Sequence, residues 1–153
     1  MKILVTGAAG FIGSKLMGVL ASRGDEVVGI DSINNYYDVR LKYGRLSEMG
    51  VMLNDEFVWN QPIQSSRYET CRFIRMSIDD RHAMEELFER EHFEKVVNLA
   101  AQAGVRYSIT NPYAYLQSNL AGFLNVLECC RHSYDNGTKG VEHLVYASSS
   151  SVY

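Results

Sequence analysis

Residues 2–13 read Lys-Ile-Leu-Val-Thr-Gly-Ala-Ala-Gly-Phe-Ile-Gly, and this stretch decides the fold of the chain. The apolar run 3–5 predicts a strand that is buried on both faces of a sheet. Three glycines follow it directly at a spacing of three residues, at Gly7, Gly10 and Gly13. A strand that leads at once into a glycine-rich turn is typical of a phosphate-binding loop.

A helix is predicted to follow the turn, from residue 11 to about residue 22. Ile12, Leu16 and Leu20 recur there at helical spacing. Glycines let the backbone approach a ligand closely, and the N–H groups and dipole of a helix N-terminus favour negative charge. The alternative is an ordinary glycine-rich turn, but the flanking strand and helix favour a site for a dinucleotide pyrophosphate.

A second strand is predicted at residues 25–30 and ends at Asp31, 18 residues after Gly13. A carboxylate at about this distance suits a bidentate hydrogen bond to the hydroxyls of the adenosine ribose. The alternative is that Asp31 caps the next helix or turn, although its spacing favours the ribose role. Because Asp31 would repel a 2′-phosphate and the next arginine along the chain is Arg40, we predict a preference for NAD over NADP.

Composition narrows the class of protein. At 153 residues and a formal net charge of −3, the chain is expected to form one domain with no bias toward nucleic acid or membranes. No apolar run has membrane-spanning length and the chain begins with a core strand, so a cytoplasmic protein without a signal peptide is predicted. The cysteines at 71, 129 and 130 are expected to be reduced, and no metal site is predicted.

Strands and helices are predicted to alternate along the rest of the chain. Further strands are expected at 72–76, 95–101 and 143–148, and helices at 39–49, 80–90 and 113–132. Residues 50–67, which include Pro62, show no clear period and are interpreted as a surface excursion. The alternation predicts an α/β fold, a doubly wound parallel (Rossmann) sheet of five strands in the order 3-2-1-4-5. The ligand crevice is expected at the carboxyl ends of strands 1 and 4.

Four longer motifs indicate a family. They are T-G-A-A-G-F-I-G at 6–13, L-A-A-Q-A-G-V-R-Y-S at 99–108, S-N-L-A-G at 118–122 and A-S-S-S-S-V-Y at 147–153. With these motifs the chain resembles, over nearly all of its length, the extended short-chain dehydrogenase/reductases, specifically the NAD-dependent nucleotide-sugar epimerases and dehydratases. Within that family, N-N-Y-Y-D-V-R-L-K at 34–42 and A-Q-A-G-V-R at 101–106 look most like the UDP-glucuronate 4-epimerases.

The resemblance implies epimerisation at C4 of a nucleotide sugar. A tyrosinate, assisted by a lysine, takes the proton of the 4-hydroxyl, and the C4 hydride passes to NAD and returns to the other face of the sugar. Carried over by position, Ser149 binds the reacting 4-oxygen, and Ser150 and Ser151 bind the substrate carboxylate. Without the family, a serine run at a strand end would be a polar turn. Val105 and Arg106 are expected at the sugar or its diphosphate, and a solvated arginine is the alternative.

The resemblance also implies which residues contact NAD. They are Gly7, Gly10, Phe11, Ile12, Gly13, Asp31, Ser32, Asn35, Tyr36, Ser77, Ile78, Leu99, Ala100, Ala101, Gln102 and Ser118. Tyr36 and Tyr37 follow the ribose carboxylate, where they either border the adenine or pack as ordinary aromatics. Ser77 stands where the family usually has an adenine-binding aspartate, so recognition by that side chain is expected to be weaker or replaced.

A second departure concerns the catalytic base. The family's Tyr-x-x-x-Lys does not occur in the sequence, and Tyr153 matches the tyrosine of the family's V-Y-G, which is not the base. The resemblance therefore implies that residues 1–153 form the NAD-binding domain, and that the base and the C-terminal nucleotide-sugar domain are absent from this chain. By itself the chain is expected to be inactive.

Three hypotheses follow for the function. The first is the NAD-binding part of a UDP-sugar 4-epimerase, with UDP-glucuronate as the expected substrate. The second is an NAD-binding module without catalysis, and the third is a nucleotide-sugar 4,6-dehydratase. Dehydratases place acidic residues directly after the catalytic hydroxyl, where this chain has Ser150 and Ser151, so the first hypothesis is favoured over the third.

Self-association is also expected. In the family a sixth strand pairs with the fifth, and the long helix packs beside the helix that carries the base. Without these partners, strand 143–148 is an open edge, and an apolar stripe of the helix loses cover. The stripe consists of Leu116, Leu120, Phe123 and Leu127. A homodimer or a higher oligomer is predicted.

Overall fold

A computed structural model of the chain describes residues 1–52, 58–137 and 139–149. The strands are β1 (Lys2–Thr6), β2 (Glu26–Asp31), β3 (Pro62–Gln64), β4 (Cys71–Arg75), β5 (Lys95–Asn98) and β6 (His143–Tyr146). The α-helices are α1 (Phe11–Ser22), α2 (Val39–Glu48), α3 (Arg81–Glu91), α4 (Tyr107–Thr110), α5 (Pro112–Tyr115) and α6 (Phe123–His132). A π-helix (Leu116–Gly122) joins α5 to α6, and Asp135–Gly137 forms a 3₁₀ turn.

Within the described residues, six strands form one sheet in the order β3-β4-β2-β1-β5-β6. The five predicted strands correspond to β1, β2, β4, β5 and β6, all of which pair in parallel. Their order is the predicted 3-2-1-4-5, which confirms the α/β doubly wound fold. The chain crosses from one side of β1 to the other between β4 and β5, so the topological switch point lies between β1 and β5.

The difference from the prediction is β3, which lies in the segment interpreted as a surface excursion. This strand pairs antiparallel with β4, and Ile63 stands opposite Phe73. Its three residues are too few to show a period, and Pro62 lacks the N–H that a central strand needs but an edge strand can forgo. Residues 53–57 of the excursion lie outside the described residues.

The sheet buries apolar side chains on both faces, as the continuous apolar run in β1 predicts. Leu4 belongs to the core beneath α3 and α6, with Leu87 and Val126. Ile3 and Val5 point to the other face, into the core shared with α1 and α2. The two layers of helices therefore cover both faces of the sheet and leave the carboxyl ends of its strands uncovered.

The predicted helix 113–132 is helical over almost all of its length but is not uniform. A π-helix occupies its centre, and the short α4 precedes it. π-Helical turns arise mostly as local insertions and frequently mark functional sites. In the part of the chain that the structure describes, no helix combines the length and apolarity needed to cross a bilayer.

Candidate functional site

A groove runs along the carboxyl ends of the central strands, at the predicted switch point. Its lining comes from the turn after β1, the segment after β2, the segments after β4 and β5, and the π-helix. The lining residues are Gly7, Gly10, Ile30, Asp31, Ser32, Asn34, Tyr36, Tyr37, Lys42, Met76, Ser77, Ile78, Leu99, Ala100, Ala101, Gln102, Ala103 and Ser118. The groove thus combines glycines and small side chains with a carboxylate and an ammonium.

A buried hydrogen-bond network sets the distance between the ends of β1 and β5. Thr6 Oγ1 donates to Asn98 Oδ1 at 2.6 Å and accepts the N–H groups of Leu99 and Ala100 at 3.1 and 3.0 Å. These side-chain bonds replace the sheet ladder, so β5 ends at Asn98, three residues earlier than the sequence predicts. The freed segment then crosses the end of β1 as one wall of the groove.

Two glycines of the turn are required by close backbone approach. Gly7 has φ of +68°, and a Cβ there would lie 2.9 Å from the backbone nitrogen of Ala100. A Cβ on Gly13 would collide with the carbonyl oxygen of Gly7. Any larger residue at either position would push the turn away from β5 or α1. The spacing of the glycines is therefore explained by the packing of the turn.

The N-terminus of α1 faces this turn. Gly10 caps the helix without a side-chain hydrogen bond, and Phe11 and Ile12, the first two helical residues, expose their side chains. Backbone N–H groups in the first turn of a helix lack partners within the helix and attract anions. The twelve-residue α1 therefore presents an anion-binding terminus beside the groove.

Asp31 ends β2 inside the groove and is 8% exposed. Its Oδ2 accepts the N–H of Ala9 at 3.1 Å, and its Oδ1 accepts the N–H of Ile33 at 2.7 Å. The ammonium of Lys42 lies 3.2 Å from Oδ1. Asp31 therefore holds a turn at Ile33 and lines the groove, and its role at a ribose stays a prediction.

The segment after β4 carries Ser77, which stands where the family usually has an aspartate. Ser77 and Ile78 line the groove, and the Ser77 hydroxyl donates to the carboxylate of Asp79. A carboxylate therefore lies next to Ser77 although the family's aspartate is absent at that position.

The π-helix and the first turn of α6 brace the two walls of the groove. The Asn119 amide binds the Gln102 backbone twice: Oδ1 accepts its N–H at 2.8 Å and Nδ2 donates to its carbonyl at 3.0 Å. On the other wall, Asn125 Nδ2 donates to the Ile78 carbonyl at 2.9 Å. This arrangement places Ser118 in the lining of the groove.

Tyrosines close one end of the groove by joining the segments after β2 and β5. The ring of Tyr36 lies 4.6 Å from that of Tyr37 and 4.8 Å from that of Tyr107. Gly104, with φ of +98°, leaves the space that the Tyr36 hydroxyl occupies. Tyr36 and Tyr37 therefore both line the groove and pack as aromatics.

Most of the predicted cofactor residues come together in this groove, and four lie outside its lining. The four are Phe11, Ile12, Gly13 and Asn35, of which Gly13 supports the turn and the first two begin α1. Sequence reasoning missed Asn34 and Lys42, both of which line the groove. Lys42 is the last residue of the quoted stretch 34–42, but only the fold of α2 shows that it reaches Asp31.

The predicted substrate residues are not part of the groove lining among the described residues. Val105 and Arg106 are exposed beside α4, and Ser149 is exposed three residues after β6. Ser150 and Ser151 lie outside the described residues. Their assignment to the substrate stays a prediction.

The cysteines take no part in this site. Burial raises the pKa of Cys71 and of Cys129 to about 11, and that of Cys130 to about 12. Thiols with such pKa values stay protonated and are poor nucleophiles and metal ligands at neutral pH. Among the residues that the structure describes, no group of three or more His, Cys, Asp or Glu side chains could hold a metal ion.

Comparison with known proteins identifies the family of the chain. Residues 3–153 match the model of the NAD dependent epimerase/dehydratase family. Protein CapI of Staphylococcus aureus is 46% identical over 153 residues, which are 100% of this chain and 39% of that protein. A UDP-glucuronate 4-epimerase of Thermodesulfobacterium geofontis is 39% identical over 150 residues, which cover 98% of this chain and 40% of the relative.

A solved structure extends the likeness to the fold. A variant UDP-glucuronic acid 4-epimerase from Bacillus cereus was crystallised with NAD and UDP-4-deoxy-4-fluoro-glucuronic acid. It matches 100% of this chain and 41% of its own chain, with a TM-score of 0.77 and 32% identity. The chain thus spans about two fifths of the length of these relatives.

Proposed function

Because the chain belongs to the NAD-dependent epimerase/dehydratase family, we propose that it binds NAD as the cofactor-binding domain, residues 1–153, of a UDP-sugar 4-epimerase. One observation carries the proposal: the glycine turn, Asp31 and the small residues after β5 line a single groove at the switch point of the sheet. Open α/β sheets bind their ligands at this position. The names of the relatives support the same reaction.

The residues present fit NAD part by part. Gly7, Gly10 and the start of α1 would hold the pyrophosphate, because glycine backbone and N–H groups meet there. Asp31 would bind the adenosine ribose, and Ser77 and Ile78 would flank the adenine. The wall 99–102 and Ser118 would face the other half of the cofactor. Small side chains along this wall leave room for a planar ring.

Bound NAD supplies a hydride acceptor and donor for C4 of the sugar. The chain's own contribution to the chemistry is the hydroxyl of Ser149, which would hold the reacting 4-oxygen by a hydrogen bond. Removal of the proton needs a base with a suitable pKa, and general acid–base catalysis contributes about 10²–10⁴-fold. The chain has no Tyr-x-x-x-Lys to supply that base, so we expect no turnover of UDP-glucuronate by residues 1–153 alone.

UDP-glucuronate is the substrate that we propose. The stretch 34–42 and relatives named as UDP-glucuronate 4-epimerases support it. Ser150 and Ser151 would bind the sugar carboxylate next to Ser149, and Val105 and Arg106 would approach the sugar or its diphosphate. Hydroxyl groups and an arginine are suitable donors to such anions.

Cofactor binding is tested by titrating NAD into the chain by calorimetry. Ala101→Trp should abolish the binding heat, because an indole would fill the groove at an exposed position that needs no repacking. Ala121→Trp, the same change at an exposed helical position that does not line the groove, should leave it intact. Failure of the unaltered chain to bind NAD would contradict the proposal.

The epimerase assignment is tested in a chimera. This chain would replace the matched segment of the Thermodesulfobacterium geofontis enzyme, and products from UDP-glucuronate would be separated by chromatography. Formation of the C4 epimer that depends on Ser149 would support the assignment. A folded chimera that binds NAD but stays inactive would contradict it, and a 4-keto-6-deoxy product from a nucleotide sugar would identify a dehydratase.

We also propose that the chain self-associates. Leu116, Leu120 and Leu124 are exposed on one side of the helix 112–132, and β6 is the outermost strand beside it. At about 25 cal/mol per Å², a few hundred Å² of apolar surface favours association by several kcal/mol before entropy is subtracted. Sedimentation at increasing concentration should show dimers or larger species, which Leu120→Glu should dissociate. A strictly monomeric chain would disprove the proposal.

A cytoplasmic location stays a prediction.

A further inference from the structure

The strongest unassigned feature of the groove is the ammonium of Lys42. This side chain is 8% exposed, reaches from α2 into the groove and lies 3.2 Å from Asp31 Oδ1 and 3.3 Å from Asn34 Oδ1. Lysine is rarely buried to this degree unless it is paired. An ion pair that served stability alone would not need to line a ligand groove.

Hydrogen-bond capacity shows what the ribose would meet. A carboxylate has about four acceptor sites, two on each oxygen. Asp31 Oδ1 already accepts from Ile33 and Lys42, and Oδ2 accepts from Ala9. One acceptor site therefore remains, on Oδ2. While it keeps these contacts, the carboxylate cannot accept hydrogen bonds from both ribose hydroxyls. The bidentate hydrogen bond that the sequence predicts is therefore incompatible with them.

The Lys42 ammonium supplies the second contact. It has three N–H donors, and among the described residues it uses one on Asp31 and one on Asn34. The third is available to a ligand in the groove that Lys42 lines. A hydroxyl can accept from this donor while a neighbouring hydroxyl donates to Asp31, so the pair matches a vicinal diol.

We propose that Lys42 binds the adenosine ribose together with Asp31 and sets the discrimination between NAD and NADP. This proposal rests on the proposed binding of NAD. A 2′-phosphate would meet the Asp31 carboxylate, which repels it, and the Lys42 ammonium, which attracts it. The Asp31–Lys42 pair therefore favours NAD less strongly than an unpaired aspartate would. Asp31 shifts the preference toward NAD, and Lys42 shifts it toward NADP.

The test measures the dissociation constants of NAD and NADP for the unaltered chain and three variants, and compares their ratio. Lys42→Gln keeps a hydrogen-bond donor but loses the charge, so NADP should weaken about tenfold more than NAD, a ratio equivalent to 1.4 kcal/mol. Asp31→Asn removes the repulsion and should shift the ratio about tenfold toward NADP. Thermal unfolding of each variant identifies those that are folded.

Arg40→Met is the matched control. Arg40 carries the same charge on the same helix, but its side chain is 86% exposed and pairs with Asp38 instead of lining the groove. Its loss should change the ratio less than about twofold, since exposed charges are screened. A ratio unchanged by Lys42→Gln would overturn the role of Lys42 while NAD binding stands. If the unaltered chain binds neither cofactor, the proposed function fails, and this inference fails with it.

Discussion

Strand β2 carries an acidic residue at each end, and the two differ in almost everything except charge. Asp31, at the carboxyl end, is buried in the groove with one ammonium and two backbone N–H groups. Glu26, at the amino end, is half-exposed and shares Lys2 and Arg72 with the buried Glu91 of α3. At the carboxyl end, hydrogen-bond donors and acceptors remain available in the groove. At the amino end, the charged groups are paired with one another.

Glu91 shows how complete the pairing is at the amino end. Its side chain is 4% exposed and lies 2.8 Å from Lys2, 2.9 Å from Arg72 and 3.1 Å from Arg90. Burial by itself would raise the pKa of Glu91, but hydrogen bonds from Lys2 and Arg90 and the charge of Arg72 outweigh burial and lower it. Three cations bind this one carboxylate, so they occupy its acceptor sites and leave none for a ligand.

The difference teaches that charge alone does not identify a binding site. Both ends of the sheet contain buried carboxylates and cations at hydrogen-bond distance. A hollow at the amino end is lined by Lys2, Glu26, Arg72 and Glu91, whose charges pair with one another. At the carboxyl end, the glycine turn and the early end of β5 keep side chains away from Asp31, which leaves a groove with an unfilled acceptor site on Asp31. Substitutions at the amino end should therefore affect stability, whereas those at the carboxyl end should also lower ligand affinity.

The largest effect is expected for Glu91→Ala. It leaves Lys2 and Arg72 without their buried partner, so the free energy of unfolding should fall by about 3 kcal/mol. Urea denaturation measures this change. Glu89→Ala, on the exposed side of the same helix, should change stability by less than about 0.5 kcal/mol. A loss of NAD affinity in folded Glu91→Ala would break the distinction between the two ends.

Asp31→Ala, unlike Glu91→Ala, should lower ligand affinity, and it should also lower stability because the buried Lys42 loses its ion-pair partner. Loss of a charge-assisted hydrogen bond should weaken NAD binding by about 1–3 kcal/mol, as measured by calorimetry on folded protein. Glu26→Ala, at the other end of the same strand, is the matched control and should leave the affinity unchanged. Equal affinities for Asp31→Ala and the unaltered chain would show that the ribose does not bind at this carboxylate.

The sequence predicts the order of the strands and the turn because both depend on local patterns. Apolar runs, glycine spacing and the position of Asp31 can be read within about thirty residues. Lys42 and Asn119 could not be assigned, since no periodic pattern links them to Asp31 and Gln102, and they meet these partners only after folding. For the same reason the Glu91 ion pairs could not be predicted, because Lys2 lies on β1 and Arg72 on β4, and both reach α3 only after folding.

Asn119→Asp tests how far the carboxyl end depends on its support. The aspartate can still accept the Gln102 N–H, but it faces the Gln102 carbonyl with a second acceptor instead of a donor. Loss of one hydrogen bond should weaken NAD binding by about 1 kcal/mol. Asn111→Asp, at the cap of α5, keeps an accepting side chain for the N–H of Ala114. It can also accept from the Tyr107 hydroxyl, to which Asn111 Nδ2 donates at 2.8 Å, so it should have little effect. Unchanged affinity in Asn119→Asp would show that the wall 99–102 holds its shape without the π-helix.

The smallest expected effect is a pH dependence at the amino end of the sheet. The folded protein lowers the pKa of Glu91 below its ordinary value of 4.5, so the charged carboxylate contributes stability above that pH. The contribution is lost as pH falls through the lowered pKa, because protonation then removes the attraction to Lys2, Arg90 and Arg72. Glu91→Gln lacks this titration. The difference in unfolding free energy between the unaltered chain and Glu91→Gln should therefore be constant near neutral pH and shrink below about pH 4.5. A difference that stays constant into the acid range would show that the three cations stabilise no charge on Glu91, and the amino end would then be held by packing instead of by its ion pairs.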